Sequence, residues 1–211
     1  MNLQEIEVKL AKKITQITLG EDPAHDFLHF KRVVSMAKKL CSEEKAKLEI
    51  VLPAAWLHDF VIITKNDSRR NQASQLSAEA AIQFLKQINY PEIYFDDIAH
   101  AIVAHSFSAN IEAKTLEAQI VQDADRLDGL GVIGIARCFA TAGLLKRPFY
   151  SEMDPFCSKR TPDDRQFTVD HFFAKLFKTA ETLKTKSGQV EGRKRIEQMK
   201  KYLTDLSAEI Q

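Results

Sequence analysis

Cysteine is scarce and scattered in this chain. Cys41, Cys138 and Cys157 are odd in number, far apart and without a Cys-x-x-Cys spacing. That argues against a disulfide framework and a structural zinc knuckle, and fits a reducing compartment. An excess of one charge is also missing: 30 Lys+Arg stand against 29 Asp+Glu, for a formal net charge of +1. Bulk electrostatics therefore give no warrant for a nucleic-acid partner. No uninterrupted apolar run reaches membrane-spanning length. Met1-Asn2-Leu3-Gln4-Glu5 has no cationic stretch leading into an apolar block. The expectation is a cytoplasmic protein with no membrane partner. Strand-period segments, repeats and low-complexity tracts are absent too.

What is present suits one globular domain. Hydrophobic residues make up 45% and charged residues 28% of 211 positions, enough apolar material to bury a core. The periodicity is helical nearly throughout, and the expected fold is all-α. A single-domain helical bundle is expected over 1–211, with a core over about 22–145, a lid loop over about 146–166 and C-terminal helices over about 167–208.

Residues 3–18 place Leu3, Ile6, Leu10, Ile14 and Ile17 at i, i+3/i+4 steps, with Gly20 where a helix-ending glycine belongs. A break at Asp22-Pro23-Ala24 precedes a helix from about Asp26 to Leu40. Ser42-Glu43-Glu44-Lys45 separates it from the next helix, which either begins just before Pro53 or kinks there. Thr64 to Arg70 is a polar, basic loop. Ser77 reads as the N-cap of a helix running to Asn89, and Pro91 opens another towards His105. Thr115 to Val121 leads into the acidic run Gln122 to Gly131, and a small-residue helix follows from about Leu130 to Ala142. Lys146 to Gln166, with Pro148, Pro155 and Pro162, has the length of a lid or binding loop. Two helices, near Val169–Thr185 and Val190–Ser207, close the chain.

Chemistry first shows at Ala55-Trp56-Leu57-His58-Asp59. Leu48, Val51, Leu52, Ala55 and Leu57 have the spacing of a buried helix, yet the run ends in an imidazole beside a carboxylate. Buried charges are normally paired or bound to a metal. The alternative is a histidine tied to a carbonyl, next to an aspartate capping the following turn. Upstream, His25 and His29 lie four apart on one helix face, and the stripe from His29 continues through Val33, Met36 and Leu40. Downstream, Asp123, Asp125 and Asp128 cluster beside Arg126 at the entry to an apolar helix, which suits a site awaiting a cation or phosphate. Gly129-x-Gly131-x-x-Gly134 imitates a dinucleotide fingerprint by letters only, since no strand precedes it; close helix packing explains it better. Trp56, Phe27 and Phe30 read as core residues.

The order His29, His58-Asp59, Asp125 resembles the signature of the HD-domain metal-dependent phosphohydrolases. The Asp-Arg-Leu context makes Asp125 the best match for the final aspartate. The likeness extends to His25-Asp-x-x-His29-x-x-Arg32-Val, to Arg69-Arg-x-x-Ala-Ser74-x-x-Ser77-Ala-Glu-Ala, to Ala104-His-Ser-Phe-Ser108 and to the stretch Gln122–Arg137. These look like one bacterial branch that includes nucleotide pyrophosphohydrolases. The Asp170-His171-Phe172 and Arg193/Arg195 regions are similar as well.

The resemblance implies one divalent ion held by His29, His58, Asp59 and Asp125. A mixed imidazole and carboxylate set suits Mn²⁺ foremost, or Mg²⁺, Fe²⁺, Co²⁺ or Ni²⁺. His25, His100 and His105 keep a two-metal arrangement open. Expected catalytic residues are Asp128, orienting or deprotonating a metal-activated water, His105 as phosphate contact or proton donor, and Arg126. Expected phosphate contacts are His25, Arg69, Arg70, Arg137, Lys146 and Arg147, with Lys159 beside them. Arg126 and Arg137 have the alternative of pairing with the local aspartates. Phe60-Val-Ile-Ile-Thr64 carries no acid, unlike relatives that place a glutamate shortly after His-Asp to activate water.

The expected substrate is a small phosphorylated molecule, a nucleoside triphosphate hydrolysed to monophosphate and pyrophosphate. The alternatives are another phosphoester, such as a nucleoside monophosphate or cyclic nucleotide, and a non-catalytic nucleotide- or metal-binding regulator. A homodimer is compatible with the sequence.

Overall fold

Helices account for all the regular structure among the described residues, and no strand is found there. The computed structural model describes residues 2–18, 26–63, 68–107 and 109–210. The expected helix end at Gly20, the break at Asp22-Pro23-Ala24, the loop tip Thr64 to Asp67, His25 and Ser108 lie outside them. No single described helix is long and apolar enough to cross a membrane.

Nine helices are described: α1 (Leu3–Ile17), α2 (Phe27–Glu44), α3 (Leu48–Leu57), α4 (Ala73–Gln87), α5 (Phe95–His105), α6 (Leu116–Asp128), α7 (Gly131–Leu144), α8 (Phe177–Glu181) and α9 (Lys186–Glu209). The chain gathers into two compact units. The first comprises Met1–Asp125 and Lys184–Gly188, the second Arg126–Leu183 and Gln189–Gln211.

In the first unit, α1 starts where the Asn2 side chain accepts the Gln4 amide, and it buries Ile6, Leu10 and Ile14. The Asp26 carboxylate caps α2 by accepting the His29 amide at 2.9 Å. That helix runs four residues past Leu40, correcting the expected linker. It stops only where Lys45 turns left-handed (φ 57°) and the Ala46 amide closes on the Cys41 carbonyl.

Helix α3 is buried on every side from Ile50 to Leu57, as a helix without a polar face must be. Pro53 sits inside it, five residues past the start. Proline has no N–H for the carbonyl four residues back. The Tyr90 hydroxyl donates instead to the Glu49 carbonyl at 2.6 Å. Trp56 and Phe30 are core residues, and Phe27 stacks on Trp56 at 6.0 Å.

Ser77 is not an N-cap. A 3-10 turn, Ser68–Gln72, leads straight into α4 at Ala73. Ser77, then one turn inside the helix and buried, accepts the Val61 amide at 3.0 Å. Pro91 precedes a short 3-10 turn, Glu92–Tyr94, that runs into α5. The acidic run is the second half of α6 itself, which the Thr115 hydroxyl caps by accepting the Ala118 amide.

In the second unit, Gly131 takes φ +71° just inside α7, a conformation that disfavours a side chain. A Cβ on Gly134 would lie 2.2 Å from the Gly129 carbonyl oxygen. Gly134 thus serves a tight backbone turn, while Gly131 bears out the expected close helix packing: a Cβ there would lie 3.1–3.2 Å from Arg195 and Gln198 of α9. Residues 145–169 form no helix, but the segment is cross-tied. The Asp154 carboxylate accepts the amides of Ser158, Lys159 and Arg160. The buried Asp170 accepts both Arg160 Nη atoms, at 2.5 and 2.7 Å, and the Asp163 amide at 2.6 Å. The helix expected over Val169–Thr185 is present as a continuous helical run over 170–181, with a π-helical turn, Phe172–Leu176, inside it ahead of α8. Phe172 stacks on Tyr202 of α9 at 6.1 Å.

Candidate metal centre

Three helix ends and the body of a fourth helix bring the candidate ligands together, all within the first unit. His29 is the third residue of α2, His58 caps α3, Asp59 follows it, His105 ends α5, and Asp125 lies in α6. The surrounding ties are local. The Lys47 amide, at the start of α3, donates to Glu117 of α6 at 3.1 Å. Beyond Asp59, the Phe60 amide closes on the Leu57 carbonyl and the Val61 amide on Ser77.

His58 is wholly buried and its tautomer is fixed by geometry. Its Nδ1 lies 2.9 Å from the Ala55 carbonyl oxygen, which can only accept, so Nδ1 carries the proton. The Nε2 lone pair points inward, 3.3 Å from Nε2 of His29, 3.7 Å from Asp59 Oδ2 and 3.9 Å from Asp125 Oδ1. His29 Nε2 is 3.7 Å from the same Asp125 oxygen. The His58 nitrogen, the His29 nitrogen and two carboxylate oxygens thus crowd one place. Such a set is satisfied by a cation at its centre.

His29, His58 and Asp125 form one group whose ligand atoms lie within 4.8 Å of one another; His58, Asp59 and His105 form a second. These groups could hold a metal ion. The imidazoles are buried (His29 2%, His58 0%, His105 4% exposed), whereas Asp59 and Asp125 are about one-third exposed. The arrangement has an apolar floor, with Phe30 5.0 Å from the His58 ring, and a carboxylate side that meets solvent.

Burial lowers the His58 imidazole to about 4, against the pull of Asp59. Burial works to raise the Asp59 carboxyl, but His58, His105 and His29 outweigh it and hold it well below the usual carboxylate range. Burial also opposes charge on His105. The hydrogen bond to Asp59 outweighs it, helped by the Asp59 and Asp125 charges, and raises this imidazole to about 9. His105 Nδ1 donates to the Ile102 carbonyl, and its Nε2 lies 3.4 Å from Asp59 Oδ1. The expected phosphate contact is thus engaged with a candidate ligand.

The three aspartates of the acidic run separate by role. Asp123 is fully buried and accepts the Lys184 and Thr185 amides and the Thr185 hydroxyl at 2.7–3.1 Å. Asp125 faces the histidines. Asp128, in the second unit, accepts Arg137 Nη1 at 2.6 Å, the aspartate pairing that was the alternative for Arg137. Arg126 donates to the Thr182 carbonyl at 2.9 Å.

The other sequence candidates scatter. His25 lies outside the described residues. Arg69 and Arg70 are exposed on the 3-10 turn, and Arg69 lines a groove of about 820 Å³ with Val61, Leu76, Glu79 and Val103. His100 Nε2 accepts the Lys114 amide, so that nitrogen is engaged away from any ion. Lys146 is exposed, Arg147 is half-buried, and Lys159 gives its amide to Asp154.

Sequence reasoning missed the supports. Asp26, Ser77 and Gln122, whose Nε2 donates to the Ala104 carbonyl at 2.6 Å beside His105, all brace the site. The only advance signal was their position inside the motifs.

Comparison with known proteins points to one family. The family model described as HD domain matches residues 26–130. The uncharacterized protein YpgQ of Bacillus subtilis is 29% identical over 212 residues, covering 97% of this chain and 95% of YpgQ. The crystal structure of YpgQ in complex with ADP aligns with a TM-score of 0.73 at 31% identity, over 95% of this chain and 97% of that one. An HD-superfamily hydrolase from Bacillus thuringiensis aligns with a TM-score of 0.78 at 28% identity, over 99% and 98%.

Proposed function

The chain belongs to the HD-domain family, and from that premise we propose that it hydrolyses nucleoside triphosphates to monophosphate and pyrophosphate, using one divalent ion held by His29, His58, Asp59 and Asp125. The observation that supports this reading is the buried His58, which belongs to two groups able to hold a metal ion, one with His29 and Asp125 and one with Asp59 and His105. The nucleotide class draws support from the relative YpgQ, whose crystal structure contains ADP. Mn²⁺ is the proposed ion, on the mixed nitrogen and oxygen donor set.

The chemistry such an ion supplies is a lowered pKa for water and polarisation of a phosphoryl oxygen. The chain's own residues do the rest. His58, locked through Ala55, and His29, with its backbone amide on Asp26, present fixed nitrogens that need no reorganisation. His58, followed by His105 and His29, holds the Asp59 carboxyl low. Asp59 and Asp125 leave the solvent side open for water and an anionic substrate. Arg69 and Arg70, on the turn that follows the His-Asp pair, are proposed to neutralise the pyrophosphate. Water adds to the α-phosphorus, the bond to the bridging oxygen breaks, and that oxygen leaves with pyrophosphate.

The test is product identity. Purified protein with Mn²⁺ is offered nucleoside triphosphates, monophosphates and cyclic nucleotides, and products are followed by ³¹P NMR. Equimolar monophosphate and pyrophosphate are expected. Orthophosphate alone from the triphosphates, or turnover confined to the other nucleotides, overturns the proposal.

A further inference from the structure

The second unit holds a cluster of charged and titratable side chains that the proposed reaction does not use. The Thr168 amide donates to the Pro148 carbonyl at 3.0 Å and the Val169 amide to the Phe149 carbonyl at 2.8 Å. These bonds lay the stretch after α7 alongside the approach to the π-helical turn. Arg147 is thereby set close enough to His171 for its charge to act on the imidazole. His171 and Lys175, four residues apart, meet on one oxygen: His171 Nδ1 lies 2.9 Å and Lys175 Nζ 2.8 Å from Asp164 Oδ2. The π-helical turn that carries Lys175 is a rare element, found frequently at functional sites.

Arg147 differs from Arg126, Arg137, Arg160 and Arg195, which are half-buried like it. Each of those donates to a carbonyl or a carboxylate. The Arg147 guanidinium makes no hydrogen bond or ion pair among the described residues, and its Nε is buried. The acids of this segment are engaged elsewhere: Asp170 by Arg160, Asp163 by the Arg165 amide and the Gln166 side chain, Asp164 by His171 and Lys175. A half-buried cation without a counter-charge is unfavourable, and the guanidinium fork fits the paired oxygens of a phosphate.

His171 adds selectivity. Burial works to raise the Asp164 carboxyl, but Lys175 and His171 outweigh it and hold it below the usual value. That carboxylate only accepts, so His171 Nδ1 carries the proton. Burial lowers the imidazole against the pull of Asp164, and Lys175 and Arg147 push the same way as burial. Its Nε2 therefore keeps a lone pair, which accepts no hydrogen bond among the described residues. A phosphate bearing an O–H can donate to it; sulfate at neutral pH has no such hydrogen.

We propose, independently of the reaction above, that this cluster binds a phosphate group: Arg147 and Lys175 donate to its oxygens, and His171 Nε2 accepts its hydroxyl. Lys175 has donors to spare, since an ammonium carries three hydrogens and this side chain is 63% exposed. Two sources share this chemistry, inorganic phosphate and the phosphate tail of a nucleotide. Inorganic phosphate keeps an O–H at neutral pH, whereas a terminal phosphate monoester, with a second pKa of about 6, has largely lost it. That favours the first source.

The test is isothermal titration calorimetry of the full chain at neutral pH, with metal withheld by a chelator so that no turnover occurs. Wild type is expected to bind inorganic phosphate, and Arg147→Gln and Lys175→Gln each to weaken that binding about tenfold or more, the loss of one charge-assisted hydrogen bond. Sulfate is expected to bind wild type about tenfold more weakly than phosphate. Lys175 lies at the surface, so Lys175→Gln decides the matter should Arg147→Gln fail to fold. Adenosine triphosphate, titrated in the same way, separates the sources. Binding that Arg147→Gln weakens alike assigns the site to a nucleotide's tail; no binding, or binding that Arg147→Gln leaves unchanged, assigns it to free phosphate. Either supports the site. A wild type that binds no phosphate, variants that bind it as wild type does, or equal affinity for sulfate overturns the proposal.

Discussion

His29 and His58 point their Nε2 atoms at each other across 3.3 Å, and the proton of His58 is already placed on Nδ1 by Ala55. Two aspartate oxygens stand within 4 Å of the same nitrogen. Folding packs the buried face of α2 against the apolar helix α3 and thereby brings these groups into one place. The repulsion this builds is relieved when a cation sits among them, so metal and fold should be linked. Adding Mn²⁺ to metal-stripped protein should raise the thermal unfolding midpoint, and the increase should vanish in His58→Ala. An equal increase in both proteins would show that Mn²⁺ binds elsewhere.

Asp123 and Gly188 form a second dependent pair. A Cβ on Gly188 would lie 2.4 Å from Asp123 Oδ2 and 2.7 Å from Thr185 Oγ1. Gly188→Ala should therefore disrupt the four hydrogen bonds that Asp123 accepts and cost about 2–3 kcal/mol. Urea denaturation reads this directly, and a variant as stable as wild type would refute it.

Tyr90→Phe should cost about 1–3 kcal/mol, the penalty of leaving the half-buried Glu49 carbonyl unpaired opposite Pro53. The double variant Tyr90→Phe/Pro53→Ala restores an N–H to that carbonyl and should recover part of the loss. Additive costs in the double variant would contradict the pairing.

Legibility followed the kind of signal. The helical periods and the His29, His58-Asp59, Asp125 order could be read because hydrophobic spacing and unusual buried polarity are written in residue identity. Ser77 could not be placed: it is an N-cap by composition, and only the 3-10 turn ahead of it moves the helix start to Ala73. Glu43 and Glu44 read as a linker but tolerate helix, so the chain continues until Lys45 turns left-handed. Asp123, Asp125 and Asp128 look alike in sequence. What distinguishes them is which groups tertiary packing brings to each: the Lys184 and Thr185 amides, the two imidazoles, and Arg137.

Acid sensitivity should run in part through Asp170. Burial works to raise its carboxyl, but the Arg160 guanidinium and the Asp163 amide outweigh it and hold it below the usual value. A carboxyl depressed by folding contributes stability above its unfolded pKa and loses it as pH falls through the folded one. Stability should therefore decline below about pH 4. Asp170→Asn should cost about 3 kcal/mol at neutral pH and flatten that part of the decline. An unchanged acid profile in the variant would exclude this pair as its source.

The most direct test of the metal centre is the metal content of Asp125→Ala, measured by mass spectrometry after loading with Mn²⁺ and desalting, beside wild type. Wild type should retain one ion per chain and hydrolyse phosphoester substrate, while Asp125→Ala, folded by circular dichroism, should lose both. A variant that keeps the wild-type ion and rate would contradict the account.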